Sequence, residues 1–123
     1  MMGRRILLAA TCVWLAGCGR EAQRHAQELT GGIPVRGKMA LRSYGCISCH
    51  TIPDVPGANA LVGPPLIHMA SRTYVAGVLT NTPEHLQRWI KNPPGVDDKT
   101  AMPNLHVTDE DARNIAAYLY TLQ

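Results

Sequence analysis

Phenylalanine is absent from the 123 residues, and all aromatic residues together reach only 5%. So few aromatic side chains leave no array on which nucleic-acid bases could stack. Twelve Lys and Arg face nine Asp and Glu, a balance that excludes binding by phosphate neutralisation. Hydrophobic residues still make up 46%, which predicts one folded domain. Its core of Leu, Ile, Val and Ala would be thin, so we expect a further component to fill it.

The sequence also lacks an apolar run long enough to cross a bilayer. An uncharged, mostly apolar run near the start covers residues 6–16, eleven residues preceded by Arg4 and Arg5. A span needs about 20 apolar residues. A short run after basic residues is typical of a secretory signal peptide, which we predict over residues 1–17. An ordinary helix of the fold is the alternative.

The apolar run ends in Leu15-Ala16-Gly17-Cys18, which resembles the bacterial lipobox. The resemblance implies cleavage before Cys18 and lipidation of its thiol, which would anchor the protein in a membrane. An ordinary export signal with a chance cysteine is the alternative. The following polar residues end in Gly31-Gly32 and predict a flexible tether over residues 18–33. The mature chain from Cys18 would carry a formal charge of only +1.

The cysteines point to a cofactor. Cys12 would leave with the signal peptide and Cys18 would be lipidated, which leaves Cys46-Ile47-Ser48-Cys49-His50. This C-x-x-C-H pattern is typical of covalent haem attachment: two thiols reach two vinyl groups, and the histidine becomes an axial ligand of the iron. A redox dithiol would need a βαβ context, and a zinc site a second Cys/His pair. A plain disulfide leaves His50 unexplained.

With this motif the chain resembles the class I monohaem cytochrome c family. It is most similar to lipid-anchored bacterial members and to the cytochrome c domain fused to some oxidase subunits II. The resemblance extends over residues 35–122 through three features: the C-x-x-C-H motif, Gly63-Pro64-x-Leu66, and the loop of Met102-Pro103. It implies an all-α fold of three to five helices with long loops around one covalent haem, in a domain over residues 34–123.

Helix signals agree with that fold. The first helix of the domain is expected after Pro34, with an apolar face of Met39, Ala40, Leu41 and Tyr44. Gly37 within it suggests a close helix crossing, because glycine has no propensity reason to be there.

The sequence predicts the starts of two further helices. Thr82-Pro83 predicts the start of a third helix, which stops before Pro93. Thr108 begins a capping sequence, and an apolar stripe at helical spacing follows, made of Ala112, Ile115, Ala116, Leu119 and Leu122. We expect this last helix to be the one that crosses the first.

The resemblance also assigns roles around the haem. It implies that the Pro64 carbonyl accepts a hydrogen bond from His50 Nδ1, although the same residues could form an ordinary turn. Arg72 and Trp89 are candidates for contacts to the haem propionates. The alternatives are a solvated charge for Arg72 and a core position for Trp89.

The second axial ligand is predicted to be Met102, because Pro103 keeps it extended and the loop matches the family's distal loop. His106 is the next candidate. Met39 is expected to pack on the first helix, and His68 and Met69 follow the loop that supports the opposite side of the haem.

His/Met ligation fills both axial positions and raises the reduction potential, which predicts an electron carrier rather than an enzyme. We expect a membrane-tethered monohaem cytochrome, with a monomeric haem domain, that passes electrons to a terminal oxidase from a quinol-oxidising complex or dehydrogenase. The alternative is a haem subunit of a periplasmic dehydrogenase; a haem sensor or a thiol exchanger are further possibilities. The predicted location is periplasmic, on the cytoplasmic membrane rather than the outer membrane, although Gly19 after the lipobox cysteine favours the latter by the enterobacterial sorting pattern.

Overall fold

The computed structural model describes the backbone of residues 3–123 and the side chains from Gly17 onward. Its helices are α1 (Gly3–Thr30), α2 (Pro34–Ser43), α3 (Pro83–Lys91), α4 (Pro93–Val96) and α5 (Asp109–Tyr120). Two short 3-10 turns (Cys46–Ser48 and Met69–Ser71) and an antiparallel pair, β1 (Tyr74–Val75) with β2 (Leu79–Thr80), lie in the long loops. The predicted all-α fold is confirmed. No helix within residues 3–123 combines the length and apolarity that a bilayer crossing requires.

The two-residue strands were not predicted, because neither is long enough to show an alternating pattern. They are joined by Ala76, Gly77 and Val78, of which Ala76 and Gly77 have φ angles of 52° and 73°. Val78 N donates to the Val75 carbonyl at 3.1 Å, which closes the turn around Ala76 and Gly77. Two consecutive residues of positive φ are the requirement of a tight hairpin turn. The hairpin leads directly into α3.

Helices α2 and α5 cross at Gly37, as the sequence predicted. A Cβ atom at Gly37 would overlap the backbone carbonyl of Asn114, so only glycine allows this approach. Asn114 is 4% exposed, and its Oδ1 accepts a 2.8 Å hydrogen bond from Ile33 N at the start of α2. The crossing is therefore held by both packing and a buried hydrogen bond.

The helix starts follow their sequence signals. Thr82 Oγ1 accepts from His85 N at 3.2 Å, and Thr108 Oγ1 accepts from Asp111 N at 3.1 Å. In a capping box the acidic side chain three residues on accepts from the N–H of the capping residue. Here Thr108 N donates instead to the Tyr44 hydroxyl at 3.4 Å. The predicted stripe of α5 is buried and forms the centre of the core.

Met39 corrects the predicted apolar face of α2, since it is 59% exposed. Pro34, Gly37 and Leu41 are buried against α5. At 100° per residue, Met39 falls on the opposite side of the helix from these three. Its expected packing position was therefore wrong.

The segment expected to be a flexible tether is helical in the structure. Residues 18–30 belong to α1, where Ala26 is fully buried and Thr30 is 6% exposed against the domain. Small side chains four residues apart allow the helix to lie close to α5. Gly31 has φ 69° and ends the helix, and a Cβ at Gly32 would overlap the Arg113 carbonyl, so the two glycines form a tight junction. Met1 and Met2, at the start of the predicted signal peptide, lie outside the described residues.

Candidate haem site

The C-x-x-C-H motif forms a single tight turn. Gly45 enters it with φ 78°, and the carbonyl of Cys46 accepts from Cys49 N at 3.2 Å and from His50 N at 3.1 Å. The two cysteines are half-buried free thiols. Burial raises the pKa of the Cys46 thiol, and the neighbouring Cys49 adds to the rise while a backbone hydrogen bond opposes it. The turn therefore presents two thiols beside one imidazole.

His50 is buried at 9% exposure and is held from one side. Its Nδ1 lies 2.7 Å from the Pro64 carbonyl oxygen. A carbonyl only accepts, so Nδ1 carries the proton and Nε2 is left with the lone pair that binds metal. The contact fixes the tautomer that an iron ligand needs and increases the basicity of the ring.

Gly63 forms the wall behind this imidazole. A Cβ at residue 63 would lie 2.5 Å from His50 Cε1 and 2.8 Å from Nδ1. The Gly63 N–H also donates to the Cys49 carbonyl at 2.6 Å. The absence of a side chain thus lets the Gly63-Pro64 loop close over the histidine.

Arg72 is placed on the same loop rather than in open solvent. Its Nη2 donates to the carbonyls of Pro65 (2.6 Å) and Ile67 (2.9 Å), and its Nε donates to Ile67 at 3.1 Å. Of the three guanidinium nitrogens, this leaves Nη1 for a contact to a haem propionate. That contact stays a prediction. Trp89 is half-buried and packs against the core from α3.

The distal candidates differ in how far they are engaged. Met69 is 4% exposed within the core, and the His68 ring nitrogen Nδ1 lies 2.6 Å from the Gln123 carbonyl. Met102 is half-buried in the loop before α5, where its N–H donates to Thr100 Oγ1 at 3.2 Å. His106 is exposed, with φ 56°. The role of Met102 as an iron ligand stays a prediction. The Met102 side chain is less buried than that of Met69.

Sequence reasoning missed Asn81 and Tyr120. Asn81 Nδ2 donates at 2.9 Å to the carbonyls of both Met69 and Arg72, and Asn81 Oδ1 accepts from the Tyr120 hydroxyl at 2.8 Å. An asparagine before a helix cap and a tyrosine at a helix end have no motif that would reveal such contacts. Burial raises the pKa of Tyr120 to about 12, with a further rise from Glu84, so the hydroxyl is a neutral donor.

The donor set suits haem rather than a bare metal ion. In the part of the chain that the structure describes, no three His, Cys, Asp or Glu side chains come together to hold a metal. Two thiols and one imidazole with a fixed tautomer instead match what a covalent porphyrin requires, because the thiols would attach to the porphyrin, the imidazole would bind the iron, and the porphyrin nitrogens would supply ligands that the chain does not. The Gly63 wall provides the space in which that imidazole is held.

Comparisons with known proteins agree with this donor set. Residues 34–123 match the family model of cytochrome c. Cytochrome c oxidase subunit 2 of Alkalihalophilus pseudofirmus is 28% identical over 89% of this chain and 30% of its own length, and that of Bacillus subtilis is 24% identical over 85% and 30%. A nitric oxide reductase subunit of Paracoccus denitrificans is 30% identical over 69% of this chain and 55% of its own length.

This chain thus spans about a third of the oxidase subunits that it matches. No significant match to a solved structure was found. The family match covers most of the chain and includes the attachment turn, the Gly63-Pro64 loop and the Met102 loop. The chain therefore belongs to the cytochrome c family and carries covalently bound haem c, for which Cys46, Cys49 and His50 form the attachment motif.

Proposed function

We propose that this protein is a membrane-tethered monohaem cytochrome that carries single electrons in a bacterial respiratory chain to a terminal oxidase. The observation that carries the proposal is the histidine site: His50 is buried, its Nδ1 is bonded to the Pro64 carbonyl, and its Nε2 is free for iron. When bound, the haem accepts and releases one electron at its iron. Membership of the cytochrome c family and the names of the relatives support a role beside membrane redox complexes.

The protein's residues account for a carrier in three ways. Cys46 and Cys49 hold the cofactor covalently, which keeps it from diffusing away outside the cytoplasm. The Pro64 carbonyl holds the His50 ring in the orientation that an iron ligand needs. A Met102 thioether, as the other protein ligand, would favour ferrous iron and would leave no position for a substrate.

Membrane attachment is proposed through Cys18, which is exposed on α1 and is the last residue of the lipobox-like sequence. The first fully buried residue after it is Ala26. A helix rises 1.5 Å per residue, so the exposed stem between them is only about 12 Å long. This short stem favours a partner in the same membrane, and we propose the periplasmic face of the cytoplasmic membrane. Gly19 remains the argument for the outer membrane.

Attachment and processing are tested together by the mass of the mature protein and its reduced absorption spectrum. We expect a mass that corresponds to a chain starting at an acylated Cys18 with one haem. Haem should remain on the denatured wild-type protein and be absent after Cys46→Ala with Cys49→Ala. Haem that extracts from the denatured wild type would contradict covalent attachment, and an unacylated chain would contradict the anchor alone.

A second candidate is a fixed haem subunit of a redox complex, such as a periplasmic dehydrogenase. The 30% identity to a nitric oxide reductase subunit favours it. Purification from native membranes separates the two: a stable stoichiometric complex supports the fixed subunit, and a free haem protein supports the carrier. A Cys18→Ala variant, released as soluble protein, should lower oxidase-linked respiration if tethering matters. Unchanged respiration after release would count against the tethered carrier.

A further inference from the structure

Asn81 joins two parts of the fold through one side chain. It uses both amide hydrogens on the carbonyls of Met69 and Arg72, and its oxygen accepts from the Tyr120 hydroxyl. Its backbone N–H also donates to the Thr73 carbonyl at 2.9 Å. If the Asn81 amide were flipped, its oxygen would face the two carbonyl oxygens of Met69 and Arg72 without a hydrogen between them. The contacts therefore determine the orientation of the amide. Asn81 therefore fixes residues 69–73 to helix α5.

Arg72 continues this connection toward the histidine. Its backbone is held by Asn81, while its guanidinium donates three hydrogen bonds to the carbonyls of Pro65 and Ile67. Hydrogen bonds from a charged donor are about twice as strong as neutral ones. The Pro65 carbonyl belongs to the residue after Pro64, whose own carbonyl holds His50. Two successive prolines have little freedom in φ, so a shift at Pro65 is passed to Pro64.

We propose that Tyr120, Asn81 and Arg72 are positioning residues for His50. They act through hydrogen bonds that run from α5 to the Pro65 carbonyl, and the Pro64-Pro65 backbone connects that carbonyl to the one that holds His50. We name these three residues the loop clamp. Its function is to hold the carbonyl at the distance that keeps His50 Nδ1–H bonded. A loosened clamp weakens that bond, makes the ring a poorer donor to ferric iron, and so raises the reduction potential. This inference rests on membership of the cytochrome c family and not on the membrane anchor or the partner.

The clamp is tested in the haem-loaded protein with substitutions that conserve charge: Asn81→Ala, Arg72→Lys and Tyr120→Phe. The matched control is Tyr44→Phe, which removes a 2.7 Å bond from a tyrosine hydroxyl to Asp111 between α2 and α5. The readouts are the reduction potential, the exchange rate of the His50 Nδ1 proton by NMR, and the denaturant midpoint. The exchange rate reports the hydrogen bond itself and does not depend on any partner.

We expect all three clamp variants to raise the potential and to speed exchange of the Nδ1 proton, at least tenfold for Asn81→Ala and Arg72→Lys. Tyr120→Phe should have the smallest effect, because Asn81 keeps its other three bonds. Tyr44→Phe should lower the midpoint without changing potential or exchange.

A charge effect of Arg72 has the opposite sign to a positioning effect. Arg72→Ala removes a positive charge, which lowers the potential, whereas Arg72→Lys keeps the charge and should raise it. Variants that lose stability while the exchange rate and potential stay at wild-type values would overturn the proposal. If Asn81→Ala fails to retain haem, the milder Tyr120→Phe and Arg72→Lys decide the question by the same two readouts.

Discussion

Replacing Gly63 with alanine would place a methyl group against the imidazole of His50. The Cβ would lie 2.5 Å from His50 Cε1, whereas non-bonded carbons are comfortable at about 3.5 Å. Ring and loop must therefore separate by about 1 Å. His50 Nδ1 and the Pro64 carbonyl oxygen are 2.7 Å apart, so a further displacement of about 1 Å separates these two atoms beyond hydrogen-bond distance. A net hydrogen bond contributes about 0.5–1.5 kcal/mol, and forced overpacking costs about 1–3 kcal/mol.

The same displacement changes the redox properties. For a one-electron couple, 59 mV corresponds to about 1.4 kcal/mol. If the lost hydrogen bond acts mainly on the ferric state, the potential should rise by about 20–60 mV. The free energy of unfolding should fall by about 1–3 kcal/mol.

Redox titration and denaturant unfolding of the haem-loaded protein measure the two effects. Gly19→Ala is the matched control, because no atom lies within 4 Å of that Cβ position. Both proteins are compared in the soluble Cys18→Ala background, which removes any effect on anchoring. A Gly63→Ala protein with wild-type potential and midpoint would refute the reasoning, since the methyl group would then have space that the structure does not contain.

Other expectations are independent of this loop. Gly37→Ala should lower the unfolding free energy by about 1–3 kcal/mol, because the new Cβ overlaps the Asn114 carbonyl; a gain of about 1 kcal/mol, as in an isolated helix, would contradict the crossing. Met102→Ala should lower the potential and admit carbon monoxide, as monitored by absorption spectra, while Met39→Ala should do neither. The Tyr120 pKa lies at about 12 in the folded protein against an ordinary 10, so its neutral form is favoured by folding. Its contribution to stability should be complete below pH 10 and lost between pH 10 and 12, and pH-dependent unfolding of Tyr120→Phe should lack that loss.

The attachment turn and the helix starts were predictable because their signals are local. Thr82 and Thr108 cap helices through bonds to residues three positions on, a spacing that is visible in the chain. Gly37 was informative for a related reason: a residue unfavourable to its own helix indicates a neighbour. In each case the structural feature depends on residues within one helical turn or on the properties of a single residue type, and both can be read from the sequence.

The remaining features depend on partners far along the chain. Asn81 meets Tyr120 across 39 residues, and Ile33 meets Asn114 across 81. Nothing in the local sequence distinguishes these asparagines from surface ones, because their neighbours are set by the tertiary fold. The exposure of Met39 had a similar origin, since the choice of buried face followed from where α5 crosses.

The docked position of α1 changes the consequence of a lipid on Cys18. A flexible tether of fifteen residues would typically reach about 20–23 Å. The helical stem from Cys18 to the buried Ala26 reaches only about 12 Å. The volume available to the domain scales with the cube of reach, so it falls about five- to sevenfold, and the effective concentration near the anchor rises by the same factor. With a mature charge of only +1, proximity rather than long-range attraction would then bring the haem to its partner. If Cys18 is lipidated as we propose, we expect the partner's electron-accepting site to lie close to the membrane surface.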